Sequence, residues 1–113
     1  MRRDMPQIGT LRDRVQLLRK DMAAEAEGGH AVSYVSLATV WARVTSLKGR
    51  VGSEADARAA QISHTVVMRF RADIGAGDRI VYRGRNLEIQ SADDLNGRRA
   101  FLNCACRETE VAG

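Results

Sequence analysis

The residues best able to do chemistry in this chain are His30, His64, Cys104, Cys106 and the acidic pair Asp93-Asp94, and their spacing argues against each reaction they could serve. Zinc sites gather thiolates and imidazoles at short, regular spacings. Here the cysteines are separated by one residue in a run that reads as strand, so both point to the same face, and neither histidine stands at a ligand spacing. A disulfide across one strand residue would strain the bond. Cys104 and Cys106 are therefore expected to be reduced and packed, with no metal. His64 falls on the apolar parity of a strand with no nucleophile or carboxylate at a recognisable spacing, and reads as a hydrogen-bonded structural histidine. Asp93-Asp94 sits in a turn signal, where carboxylates are solvated or accept backbone hydrogen bonds. The sequence holds neither a glycine-rich phosphate loop nor a Gly-x-Ser-x-Gly elbow. No enzymatic activity, catalytic residue or cofactor is expected.

A second chemistry is charge recognition. The segment Lys48-Gly-Arg-Val-Gly-Ser-Glu-Ala-Asp-Ala-Arg-Ala-Ala-Gln61 carries Lys48, Arg50 and Arg58, which could meet phosphate, offset by Glu54 and Asp56. Ser53 followed by Glu54, Asp56 and four alanines reads as a capped helical turn, and Gly49 and Gly52 give it a hinged stalk. Across the chain, Lys and Arg number 18 against 14 Asp and Glu, a net charge of +4. That balance suits nucleic acid or an acidic protein surface as partner, although the arginines are dispersed rather than gathered in one run.

The elements that must position these residues read as β-strands. Leu11, Val15 and Leu17 alternate with Arg12, Arg14 and Gln16 over Leu11 to Arg19. Asp21 to Ala31, with Gly28-Gly29, reads as a mobile connection. From Tyr34 the chain is strand-like again, and Val40, Ala42 and Val44 oppose Trp41, Arg43 and Thr45. A tryptophan on that second face would be buried in its own subunit, pack under a loop, or make a subunit contact.

Ile62, His64, Val66, Met68 and Phe70 form the clearest apolar face. Arg79 to Ser91 reads as a tight hairpin about Gly84, with Ile80, Tyr82, Leu87 and Ile89 inward. Asn96-Gly97 suits a type I′ turn into a last strand, Arg99 to Glu108, where Ala100, Leu102, Cys104 and Cys106 oppose Phe101, Asn103 and Arg107. About six strands in 113 residues predict an all-β fold, a small closed or nearly closed β-barrel with a long helix-bearing loop between its central strands. A compact sandwich is the alternative, because parity does not reveal which edges pair.

The length fits one domain, 1–113. No apolar stretch approaches the span of about 20 residues that a bilayer needs, and the basic start at Met1-Arg-Arg is not followed by an apolar stretch, so a soluble cytoplasmic protein is expected, with no membrane partner.

The order of these features resembles the phage head-tail joining family. The resemblance is carried by Ile8-Gly-Thr-Leu-Arg-Asp-Arg-Val-Gln-Leu, Gly28-Gly29 before a strand, Ala38-Thr-Val-Trp-Ala-Arg-Val, and Ile62-Ser-His-Thr-Val-Val-Met-Arg-Phe-Arg. It continues through Gly77-Asp-Arg-Ile-Val-Tyr-Arg-Gly-Arg-Asn-Leu-Glu-Ile and Arg99-Ala-Phe-Leu-Asn-Cys-Ala-Cys-Arg-Glu108. Where the family often has a glutamate directly after the Gly-Arg of the insert, Gly49-Arg50 is followed here by Val51.

The resemblance implies a head-completion, or stopper, protein of long-tailed phages or phage-like gene transfer agents. Such a subunit is assembled in the bacterial cytoplasm into a homo-oligomeric ring, sixfold or twelvefold, at the head-tail interface of the particle. It extends the double-stranded DNA channel below the portal and adaptor, helps retain packaged DNA and docks tail terminator proteins. Residues 1–7 would be a flexible arm and 48–61 a projecting loop. On this reading Lys48, Arg50 and Arg58 touch DNA, Gly49 and Gly52 are the loop hinge, and Trp41 is a subunit contact. Each phosphate neutralised adds salt-dependent affinity, so the mixed charge of the loop suits a gate rather than a clamp. The alternative is a free, basic nucleic-acid-binding β-barrel, for which the aromatic content of 4% offers few stacking platforms.

Overall fold

The computed structural model describes residues 11–24, 30–47 and 62–109. Its strands are β1 (Asp13–Ala24), β2 (His30–Ser46), β3 (His64–Arg69), β4 (Arg79–Tyr82), β5 (Arg85–Asp94) and β6 (Phe101–Thr109). They close in the order β1-β2-β3-β6-β5-β4 into an antiparallel barrel, which decides against the sandwich. Closure is made by a short ladder, Gln16 to Leu18 on β1 against Val81 to Arg79 on β4.

The period-two pattern has its cause in the barrel wall, where one side chain in two enters the interior. Val15 and Leu17, Ala42, Val66 and Met68, Ile80, Leu87 and Ile89, and Leu102, Cys104 and Cys106 supply the buried core from all six strands. Leu11 does not join them, although its parity matches Val15. It packs outside the barrel with Val67 and Phe101, over Leu95 and Ala100, because the ladder begins only at Asp13 and strand pairing does not fix the direction of Leu11. Phe101 is thus outward but covered.

Two turns carry the backbone that their glycines suggest. Arg83 and Gly84 join Tyr82 to Arg85 with φ of 51° and 80°, and Asn96 and Gly97 have φ of 63° and 67°. Positive φ at both central residues is what a type I′ turn requires. The second connection is longer than two residues and is tied by Asp94, whose carboxylate oxygens accept the Arg99 N–H at 2.9 and 3.0 Å.

The largest departure from expectation lies between β1 and β2. Much of the expected connection Asp21 to Ala31 is strand: Asp21 pairs with Ser33, Met22 with Val32 and Ala24 with His30. Past Leu18 this ladder has left β4, and before Ala42 it has not yet met β3. It therefore stands beyond the barrel as a two-stranded arm. Both faces of such an arm meet water, so selection for an apolar parity is absent and periodicity cannot find it.

Antiparallel order gives the barrel two ends. The arm and the connections β3–β4 and β5–β6 lie at one; the tight β4–β5 turn, the start of β1, the end of β2 and the start of β3 lie at the other.

Candidate functional site

The expected channel residues Lys48, Arg50 and Arg58 and the hinge residues Gly49 and Gly52 lie outside the described residues, as does the segment 1–7. What the structure does show is how the 48–61 segment is rooted. The Leu47 N–H donates to the Ser63 carbonyl at 2.9 Å, and the Ser63 N–H donates to the Cys106 carbonyl at 2.8 Å. The Ser63 hydroxyl oxygen accepts the Glu108 N–H at 2.8 Å. Leu47 and Ser63, which flank the segment, are thereby held side by side, and Ser63 is fastened to β6.

Beside this neck is a hollow of about 350 Å³ lined by Val44, Ser46, His64, Tyr82, Arg83 and Arg85. Its rim is cationic but constrained: Arg83 stacks over Tyr82 at 5.3 Å and Arg85 lies 3.7 Å from Glu108. His64 is buried, with Nδ1 2.8 Å from the Ser63 hydroxyl, so a nucleophile-bearing neighbour does accompany it, contrary to the spacing argument. The neighbour is adjacent in sequence, and its oxygen also accepts the Glu108 N–H, which ties it into the neck. This geometry supports the structural reading of the histidine.

Cys104 and Cys106 are free and buried. Burial, with Asp93 adding to it, pushes the Cys104 thiol up to about 12, and burial beside Cys104 raises Cys106 as well. Thiols so disfavoured as thiolates are poor nucleophiles and poor ligands. Among the described residues no cluster of His, Cys, Asp or Glu could hold a metal ion, and no helix is long and apolar enough to cross a membrane.

Trp41 is not buried; 53% of it is exposed on the outer wall. Its ring is covered on one face by Arg14, whose guanidinium carbon lies 5.0 Å from the ring centre, a consequence of the pairing of Arg14 with Trp41 across β1 and β2. One side of the tryptophan is thus already used, which weakens it as a base-stacking platform.

Trp41 also lines an open groove of about 820 Å³ with Leu11, Arg12, Val40, Arg69, Phe70 and Arg71. The groove occupies the fork where β2 and β3 part. Arg71 is held there by Asp73, with two hydrogen bonds of 2.9 and 2.8 Å. That pairing lowers the Asp73 carboxyl from its ordinary value. Sequence reasoning found Trp41 but missed the groove, because its walls come from three segments whose adjacency depends on strand order.

No curated protein sequence matches the chain. Among solved structures it is similar to protein SF1141 from Shigella flexneri 2a, with 27% identity, coverage of 91% of this chain and 96% of that one, and a TM-score of 0.68. It shares its fold with a chain from the virion of a native gene transfer agent particle, at 24% identity, 93% and 98% coverage and a TM-score of 0.62. The phage head completion protein family matches residues 6–109. Since that match takes in the whole barrel and both of its ends, the chain belongs to the phage head completion protein family.

Proposed function

We propose that this chain completes the head of a phage or phage-like particle as a stopper subunit, in a homo-oligomeric ring that extends the DNA channel below the portal and adaptor and receives the tail. The observation that carries the reading is the family match across residues 6–109. Its place is the head-tail interface of the virion.

The two-ended barrel supports this reading, because a connector subunit must meet different neighbours above and below. The 48–61 segment, which follows Leu47 and precedes Ser63, is the candidate channel gate, with Lys48, Arg50 and Arg58 toward the DNA backbone and Gly49 and Gly52 as hinge. Trp41, exposed on the outer wall, is the candidate contact with a neighbouring subunit of the particle.

Deleting the gene from a particle-producing strain is expected to give filled heads that lack tails and leak DNA. Normal tailed particles would overturn the proposal. Replacing Lys48, Arg50 and Arg58 with alanine together should leave particles assembled while lowering DNA retention, and unchanged retention would remove the gate from the reading.

A further inference from the structure

The arm leaves two strand edges without a ladder partner among the described residues, and they differ in kind. On β1 the edge beyond Leu18 carries Arg19, Lys20 and Asp21, and the Lys20 N–H is already spent on the Asp78 carboxylate at 2.9 Å. Charges and a used donor are common guards against unwanted pairing. On β2 the edge from Val32 to Trp41 contains no charged residue, no proline and no glycine. It also exposes Val32 (53%) and Val35 (43%). An unguarded, uncharged edge of this length offers a row of backbone donors and acceptors to an incoming strand.

A second observation lies at the end of the same edge. The open groove at the fork is lined by Val40 and Trp41 of β2 itself, and its charged walls, Arg12, Arg69 and Arg71, are all cationic. Asp73 answers Arg71 from outside the lining. Backbone edge and basic, aromatic groove are therefore continuous, and what fits both is extended, apolar along its length and anionic at one end.

From this we infer that the β2 edge is a strand acceptor for an extended segment of another particle protein, which adds beside Val32 to Trp41 and sets an apolar side chain and a carboxylate in the groove against Trp41, Phe70 and Arg69. The inference rests on the head-completion reading only for the identity of the partner as a particle protein. Main-chain hydrogen bonds supply affinity and the groove supplies direction, since a carboxylate at the wrong end of the segment would lie beside uncharged Val32.

The test uses the full chain, labelled with nitrogen-15, and an acetylated peptide of alternating valine and threonine that ends in one glutamate. Amides between Val32 and Trp41 are expected to gain protection from hydrogen exchange, and the Trp41 indole signal to shift. Arg69→Glu should weaken this peptide about tenfold and favour its lysine-ended counterpart. Val35→Lys with Thr39→Lys, two exposed positions, should abolish binding of both peptides while β3 and β6 keep their exchange protection.

Three outcomes would overturn the inference: no protection at saturating peptide, protection confined to the β1 edge, or concentration-dependent protection of β2 without peptide, which would assign the edge to a second copy. Any of them would leave the head-completion reading intact. Normal tailed particles on gene deletion would overturn that reading and leave the strand acceptor standing.

Discussion

Asp78 holds Lys20 where the arm leaves the barrel: its Oδ1 accepts the Lys20 N–H at 2.9 Å while Oδ2 accepts the Gly75 N–H at 2.8 Å. One carboxylate thus joins the last closed turn of the ladder to the β3–β4 connection. Its own carbonyl accepts the Ile89 N–H at 2.9 Å, so three segments meet at one residue. Asp78→Ala is expected to cost about 1–3 kcal/mol in chemical denaturation, from hydrogen bonds to a charged acceptor. Asp78→Asn should retain part of that, and in the alanine variant the amide of Lys20 should exchange faster.

The Arg83-Gly84 turn gives a test free of packing. A Cβ on Gly84 would meet nothing within 4 Å, yet its φ is 80°. Gly84→Ala should therefore destabilise by about 1–2 kcal/mol through backbone strain alone. Arg83→Asn, at φ of 51°, is expected to act in the opposite direction, because asparagine tolerates the left-handed region better than arginine. Thermal melts of the two variants check the signs.

Core and wall should respond differently to truncation. Leu17 and Leu87 are fully buried, so Leu17→Ala or Leu87→Ala should each cost about 2–5 kcal/mol. Trp41→Ala removes a larger ring but an exposed one, and its effect on stability should stay below about 1 kcal/mol, mostly the lost stack with Arg14. A Trp41 variant as unstable as the leucine variants would mean that the ring is packed in solution.

The thiols predict alkaline sensitivity. In the fold, burial raises Cys104 from 9.0 to about 12, and Cys106 moves the same way. Below 9.0 both states keep their protons and stability is whole. As pH climbs from 9.0 toward 12 the unfolded chain releases protons that the fold retains, and stability falls by up to about 1.4 kcal/mol per pH unit for each thiol. Denaturation curves at rising pH should show this slope, and Cys104→Ala with Cys106→Ala should flatten it. In the folded protein both thiols should resist alkylation at neutral pH.

How far the sequence foretold the molecule depended on which forces write into it. Burial writes at period two, and so Val66 with Met68, Leu102 with Cys104, and Ile80 with Leu87 were legible as interior residues. Turn chemistry was legible at Gly84 and at Asn96-Gly97 because backbone conformation selects residue type locally. Pairing was not. The contact of Arg14 with Trp41, and the groove whose walls are Leu11, Val40 and Phe70, depend on which strands lie side by side, and that choice is made by the whole barrel. Leu11 misled because parity continues on paper after the ladder has stopped. The arm misled because a ribbon wet on both faces has no alternation to read.

The hydrogen bond from Leu47 to Ser63 carries a consequence for how such a protein can change. The neck closes the barrel's ladder before the 48–61 segment begins, so residues can be added to or removed from that segment without shifting the register of β2 on β3. Chain closure becomes only slowly harder as a loop lengthens, about 0.6 kcal/mol for each doubling. The segment is therefore open to grafting: an epitope or fluorophore peptide inserted between Lys48 and Gln61 should leave the scaffold and the pairing of β2 with β3 intact.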